Sequence, residues 1–166
     1  MTRGKIGFYG GKFFPMHKGH LYCIDTAANM CDRLTVILFV NGDGELKVLE
    51  ATNASSHPEL SISSRIAQAS RICALYDNVD FHVINCMNLK KPDGTEDWDA
   101  ETPLVRQYVP HMDYVFSSEP QYEEYFSRAY PEAKHIIVDA ERKRYPISST
   151  MIRAMKIMED NERWMV

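Results

Sequence analysis

The sequence has no surplus of positive charge: 19 lysines and arginines face 23 aspartates and glutamates, a formal net charge of −4. A non-specific nucleic-acid binder needs a basic surplus, so nucleic acid is not an expected partner. The one basic cluster is Arg142-Lys143-Arg144. Cysteine is sparse, and Cys23, Cys31, Cys73 and Cys86 form no CxxC pair. That disfavours a zinc ribbon or a thioredoxin-like motif and leaves reduced thiols in or near the core as the expectation. No apolar run approaches the ~20 residues of a membrane-spanning helix, so no membrane partner is expected. Lys5 to Tyr9 reads as a strand running into glycines rather than as a signal peptide, which makes the cytoplasm the expected compartment. Neither GxxxxGK[ST] nor GxGxxG occurs, so the P-loop and the dinucleotide-binding fingerprint are both missing.

What remains is an alternation of strand and helix signals within 166 residues, a length that suits one domain over 1–166. Strands are predicted at 5–9, 34–40, 79–84, 114–116 and 136–138. Helices are predicted at 19–31, 61–76, 122–129 and 149–158. Leu34 to Val40 is continuously apolar and β-branched, as in a strand buried on both faces. Residues 41–60 and 85–108 read as polar connections of undefined organisation. The expected fold is α/β: a single Rossmann-like, doubly wound parallel sheet of about five strands with flanking helices. Ligands of such sheets bind beyond the carboxyl ends of the strands, where the strand order reverses.

Two segments carry chemistry. The first, Gly11-Lys12-Phe13-Phe14-Pro15-Met16-His17-Lys18-Gly19-His20, joins the first strand to the first helix. Gly10 and Gly11 suit close backbone approach to a ligand. His17 and His20 fall at the amino end of the helix, where backbone N–H groups attract phosphate and two imidazoles can donate to phosphoryl oxygens. Their charge would stabilise charge developing at phosphorus. A zinc site is not expected at this HxxH, because no third ligand lies nearby. The second segment, Ile147-Ser148-Ser149-Thr150-Met151-Ile152-Arg153, offers a capped helix start as another anion site, with Arg153 one turn on.

Joined in this order, the two segments resemble the signature of the HxGH nucleotidyltransferase superfamily, GxFxPxHxGH followed by ISSTxIR. His17, where pantetheine-phosphate enzymes usually carry Thr, is similar to the nicotinamide or nicotinate mononucleotide enzymes. The first segment looks most like the adenylyltransferase domain of a bifunctional bacterial NAD-biosynthesis protein. Asp113 to Glu119 and Val138 to Thr150 resemble it too, whereas its kinase and DNA-binding parts have no counterpart here.

The resemblance implies transfer of AMP from ATP to the phosphate of nicotinamide mononucleotide. Other acceptors remain open: nicotinate mononucleotide, phosphopantetheine or a flavin nucleotide. So does a nucleotide sensor that has lost turnover. Catalytic residues would be His17, His20 and Lys12. ATP would be held by Gly10, Gly11, Phe13, His17, His20, Ser117, Ser148, Ser149, Thr150 and Arg153. The acceptor would meet Lys12, Phe14, Trp98, Glu119 and Arg144. Mg²⁺ would arrive with ATP, no protein metal ligand is expected, and a homo-oligomer is compatible with the superfamily. Arg65 and Lys47 read equally well as site or surface residues. His57, His82, His111 and His135 read as structural.

Overall fold

A computed structural model of the protein describes residues 4–41 and 60–139. The motif at 147–153, the helix predicted at 149–158, Lys47, His57 and Arg144 lie outside the described residues. Within them the strands are β1 (Ile6–Gly11), β2 (Arg33–Val40), β3 (Val79–Asn85), β4 (Tyr114–Ser117) and β5 (Lys134–Ile137). The helices are α1 (Lys18–Met30), α2 (Ile62–Cys73), α3 (Trp98–Tyr108) and α4 (Glu123–Ala129). All five strands are parallel, in the order β3-β2-β1-β4-β5. The order reverses between β1 and β4, so the cleft for a ligand opens where Gly11 and Ser117 end their strands.

Alternation along the strands fills two cores. Tyr9, Leu34, Val36, Leu38 and Val40 pack on one face with Cys23, Ile24 and Ala27 of α1 and Ala69, Ile72 and Cys73 of α2. Phe8 and Ile37 pack on the other with Val105 of α3, Met112 and Tyr130. A strand covered on both faces has no polar side to alternate, which is why β2 reads as an unbroken apolar run.

Two expectations change. Residues 98–108, read as an irregular connection, form α3 despite Pro103. The Asp97 side chain caps it by accepting the N–H of Ala100 at 3.2 Å. The cap and the Asp99 carboxylate in the first turn help offset the one backbone bond that Pro103 cannot donate. In α2, Ala69, Ile72 and Cys73 face the core and Ile62 is exposed, while Arg65, read equally as a site or a surface residue, is buried. All four cysteines are free thiols in the interior. Burial pushes Cys23 and Cys73 up to about 12, so neither is a ready nucleophile.

Candidate active site

β1 delivers the chain to the switch point, and the turn after it is held from below. The Arg65 guanidinium lies 4.4 Å above the Phe14 ring and its Nη2 donates to the Lys12 carbonyl at 3.2 Å. Phe13 and Phe14 are both buried. Phe14 packs against Leu60 and Arg65. Packing adds a second reason for glycine at Gly10 and Gly11. A Cβ at Gly10 would lie 2.6 Å from the Phe39 ring, and one at Gly11 would lie 2.8 Å from the Phe13 ring. The protein's own aromatics, not only a ligand, demand glycine there.

His17 caps α1 with an extended backbone, φ −135° and ψ 179°. Its Nδ1 accepts the N–H of Gly19 at 3.0 Å, while Nδ1 of His20 accepts the N–H of His17 at 3.1 Å. This is a reciprocal cap built from two imidazoles, where Ser and Glu more often serve. The rings stack with centroids 3.8 Å apart and planes at 26°. A ring nitrogen that accepts a hydrogen bond carries no proton, so each neutral ring holds its proton on Nε2. The cap thus makes a pair of Nε2–H donors at a helix amino end. A second proton on either ring would break the cap. In this arrangement both Nδ1 atoms are committed to the backbone of the turn.

Lys12 and Trp98, far apart in sequence, meet through Glu96. Glu96 Oε2 accepts from Trp98 Nε1 at 2.8 Å and lies 3.6 Å from Lys12 Nζ. Its other oxygen, Oε1, accepts from the Cys86 thiol at 2.9 Å. Glu101 of α3 is buried beside them. Burial, then the charge of Glu96, pushes the Glu101 carboxyl up to about 8, so it keeps its proton at neutral pH. Cys86, Glu96 and Glu101 were not singled out from the sequence; no local spacing marks them. Trp98 also borders a cleft of about 420 Å³ whose walls include Lys91, Tyr125 and Arg128. Its ring meets Tyr122 and Tyr125 edge-on, with centroids 5.0 and 5.4 Å away.

At the end of β4, Ser117 Oγ lies 2.6 Å from His135 Nε2, and Glu119 N donates to Ser117 Oγ at 3.2 Å. His135 Nδ1 pairs with Glu123 at 2.5 Å. His135 is thus structural, as expected, but in a specific way: it ties β5 and α4 to the strand end that borders the cleft. Glu119 turns to Gln121, which donates to it at 2.8 Å. Of the expected site residues, the structure gathers Gly10, Gly11, Lys12, His17 and His20 in one turn and links Trp98 to it. Ser117 ends the neighbouring strand.

Comparison with known proteins bears directly on this arrangement. A family model described as cytidylyltransferase-like matches residues 8–155. The chain belongs to that family. With it goes membership of the HxGH nucleotidyltransferase superfamily. The trifunctional NAD biosynthesis/regulator protein NadR of Salmonella typhimurium is 26% identical over 157 residues, covering 89% of this chain and 36% of that protein. This chain therefore spans about a third of the length of the curated relatives it matches. Among solved structures, a NadR protein in complex with NAD and AMP-PNP superposes with a TM-score of 0.63 at 21% identity, covering 91% of this chain and 42% of that one. A bifunctional NMN adenylyltransferase/ADP ribose pyrophosphatase from Francisella tularensis, complexed with AMP and a manganese ion, gives 0.55 at 17% identity, covering 91% and 41%. At these identities the structures establish a shared fold, the parallel Rossmann-like sheet.

Proposed function

We propose that this cytidylyltransferase-like protein transfers the adenylyl group of ATP to the phosphate of nicotinamide mononucleotide, giving NAD and pyrophosphate. The observation that carries the reading is the imidazole cap: two fixed Nε2–H donors at the amino end of α1, beside the switch point of the sheet. Donors aimed where charge develops need no reorganisation during reaction, which is the main source of catalysis in transfer at phosphorus. An oxygen of the acceptor phosphate attacks the α-phosphorus. The bond to the bridging oxygen breaks in line with it, and that oxygen leaves on pyrophosphate. The acceptor phosphate is already ionised, so no general base and no covalent enzyme intermediate is needed. His17 and His20 donate to the α- and β-phosphates, and Lys12 neutralises the reacting groups. Ser149, Thr150 and Arg153 hold the distal phosphates, Gly10 and Gly11 admit the nucleotide, and Ser117 borders the adenine. Mg²⁺ enters as part of the substrate, bound to the ATP phosphates.

The acceptor base is assigned to the cleft beside Trp98, between Lys91 and Arg128. The likeness to the NadR relatives supports an acceptor of the pyridine nucleotide class. Incubation with ATP and, separately, nicotinamide mononucleotide, nicotinate mononucleotide, phosphopantetheine and FMN, with products weighed by mass spectrometry, tests this. NAD as the dominant product is expected. Dominance of deamido-NAD would reassign the acceptor, and ATP binding without any product would replace the enzyme with a nucleotide sensor.

A further inference from the structure

Beneath the turn that carries Lys12, three ligand-bearing side chains converge in the interior. One ligand atom each from Cys86, Glu96 and Glu101 lies within 4.8 Å of the others. Cys86 is fully buried at the end of β3, its N–H bonded to the Val40 carbonyl at 2.9 Å. Glu96 is brought back to it by a tight hairpin-like turn: Lys91 N donates to Thr95 O at 2.8 Å, and the backbones of Lys90 and Glu96 form an antiparallel bridge. Glu101 projects from the first turn of α3, 6% exposed, and its Oε1 is buried with no hydrogen-bond partner.

We propose that Cys86, Glu96 and Glu101 form a binding site for a divalent cation of the zinc class. Two carboxyls and a thiol share one interior position, and among the described residues Lys12 is the only cation paired with them. It reaches Glu96 alone, on Oε2. Glu96 divides its oxygens: Oε2 faces Lys12 and Trp98, whereas Oε1 faces the thiol. A metal on Oε1 leaves the outward contacts in place, and the Trp98 N–H then steadies a ligating carboxylate from behind. The thiol has one proton but two acceptors, Glu96 Oε1 at 2.9 Å and the Val40 carbonyl at 3.1 Å. On binding, the cation displaces the thiol proton of Cys86 and the carboxyl proton of Glu101 to solvent. The site then holds three negative ligands against the metal and Lys12, and the orphaned Glu101 oxygen gains a partner. A thiolate with two carboxylates is the mixture zinc accepts; magnesium and calcium avoid sulfur. Such an ion would pin the turn after β3 and the start of α3 to the end of β2, fixing Glu96 for Lys12 and Trp98. The site takes no part in the transfer step itself, and its test does not depend on the identity of the acceptor.

Cobalt(II) is the probe. The full chain, stripped with chelator, is titrated with Co²⁺, then with Zn²⁺ as competitor. One cobalt per chain is expected, with a thiolate-to-cobalt charge-transfer band that zinc abolishes. The stacked histidines cannot produce that band, because it requires sulfur. Cys86→Ser removes it and Cys73→Ser keeps it. Glu101→Gln, which mimics the protonated carboxyl and keeps the fold, retains the band but weakens cobalt at least tenfold. Absence of the band at stoichiometric cobalt, or its survival in Cys86→Ser, overturns the proposal. Should Cys86→Ser not fold, unchanged cobalt affinity in Glu101→Gln overturns it instead.

Discussion

His20 does two jobs that substitution can separate. Its Nδ1 closes the α1 cap by accepting the His17 N–H, and its Nε2–H is the donor assigned to the phosphates. His20→Ala removes both. Loss of a cap costs about 1 kcal/mol. For a domain of this size that lowers Tm by roughly 2–4 °C. Loss of one preorganised donor lowers kcat by roughly 10²–10³. The two losses differ in kind, and His20→Gln distinguishes them. A glutamine at the third helical position reaches back to the cap N–H as in an ordinary capping box, so Tm returns towards the parent value. Its amide cannot place a ring N–H where Nε2 stood, so kcat recovers only in part. Steady-state pyrophosphate release gives the rates and calorimetry gives Tm. A His20→Ala variant whose kcat stays within threefold of the parent refutes the assignment. A His20→Gln variant as active as the parent shows that the cap alone mattered.

Four more outcomes follow from other contacts. Lys12→Ala should cost kcat at least tenfold while barely moving Tm, because its ion pair with Glu96 is half exposed and worth under about 1 kcal/mol; a rate within twofold counts against it. Trp98→Ala should raise the acceptor KM roughly five- to tenfold, the scale of one aromatic contact, and leave the ATP KM alone; equal shifts in both would move the acceptor out of this cleft. Gly10→Ala should cost about 1–3 kcal/mol by forcing a methyl against the Phe39 ring, read from urea unfolding, and an unchanged midpoint contradicts the packing argument. In metal-free protein, Glu101 should make stability fall as pH rises. Burial raises its carboxyl from 4.5 to about 8, so the folded chain binds more protons than the unfolded one between those values. Its contribution is complete below the lower value and is lost as pH climbs through the upper one. Glu101→Gln, with nothing to titrate, should flatten that slope in denaturant melts taken across the range; an identical slope would show that Glu101 is not its source.

How much of this was legible in the chain depended on distance along it. The strands were readable because burial on both faces writes an apolar run, as in β2, and the helix start at His17 was readable because a cap is local. The interior place of Arg65 was not: a charged side chain reads as surface, yet Arg65 lies over the Phe14 ring and donates to the Lys12 carbonyl, a contact made far along the chain. α3 was hidden by Pro103 and by polar residues before it, since a helix that buries few residues shows little apolar pattern. The contacts of Ser117 with His135 and of Glu96 with Cys86 and Lys12 are made by strand order and a hairpin. No spacing in the sequence encodes them.

The pairing of Lys12 with Glu96 suggests how the turn stays ready for a polyanion. At 3.6 Å the pair is beyond hydrogen-bond length, and the lysine is 47% exposed, so little is lost when Nζ moves from the carboxylate to a phosphate. Glu96 does not follow it, because Trp98 Nε1 and the Cys86 thiol hold both its oxygens. The carboxylate therefore acts as a fixed post from which a mobile cation is lent, and the same post steadies the indole at the edge of the cleft. The imidazoles are the opposite case: their caps spend Nδ1 on the backbone and leave no freedom to re-aim Nε2. On the proposed reading, a site assembled this way would place rigid donors at the reacting phosphorus and keep the adjustable charge of Lys12 for groups whose position changes as pyrophosphate departs.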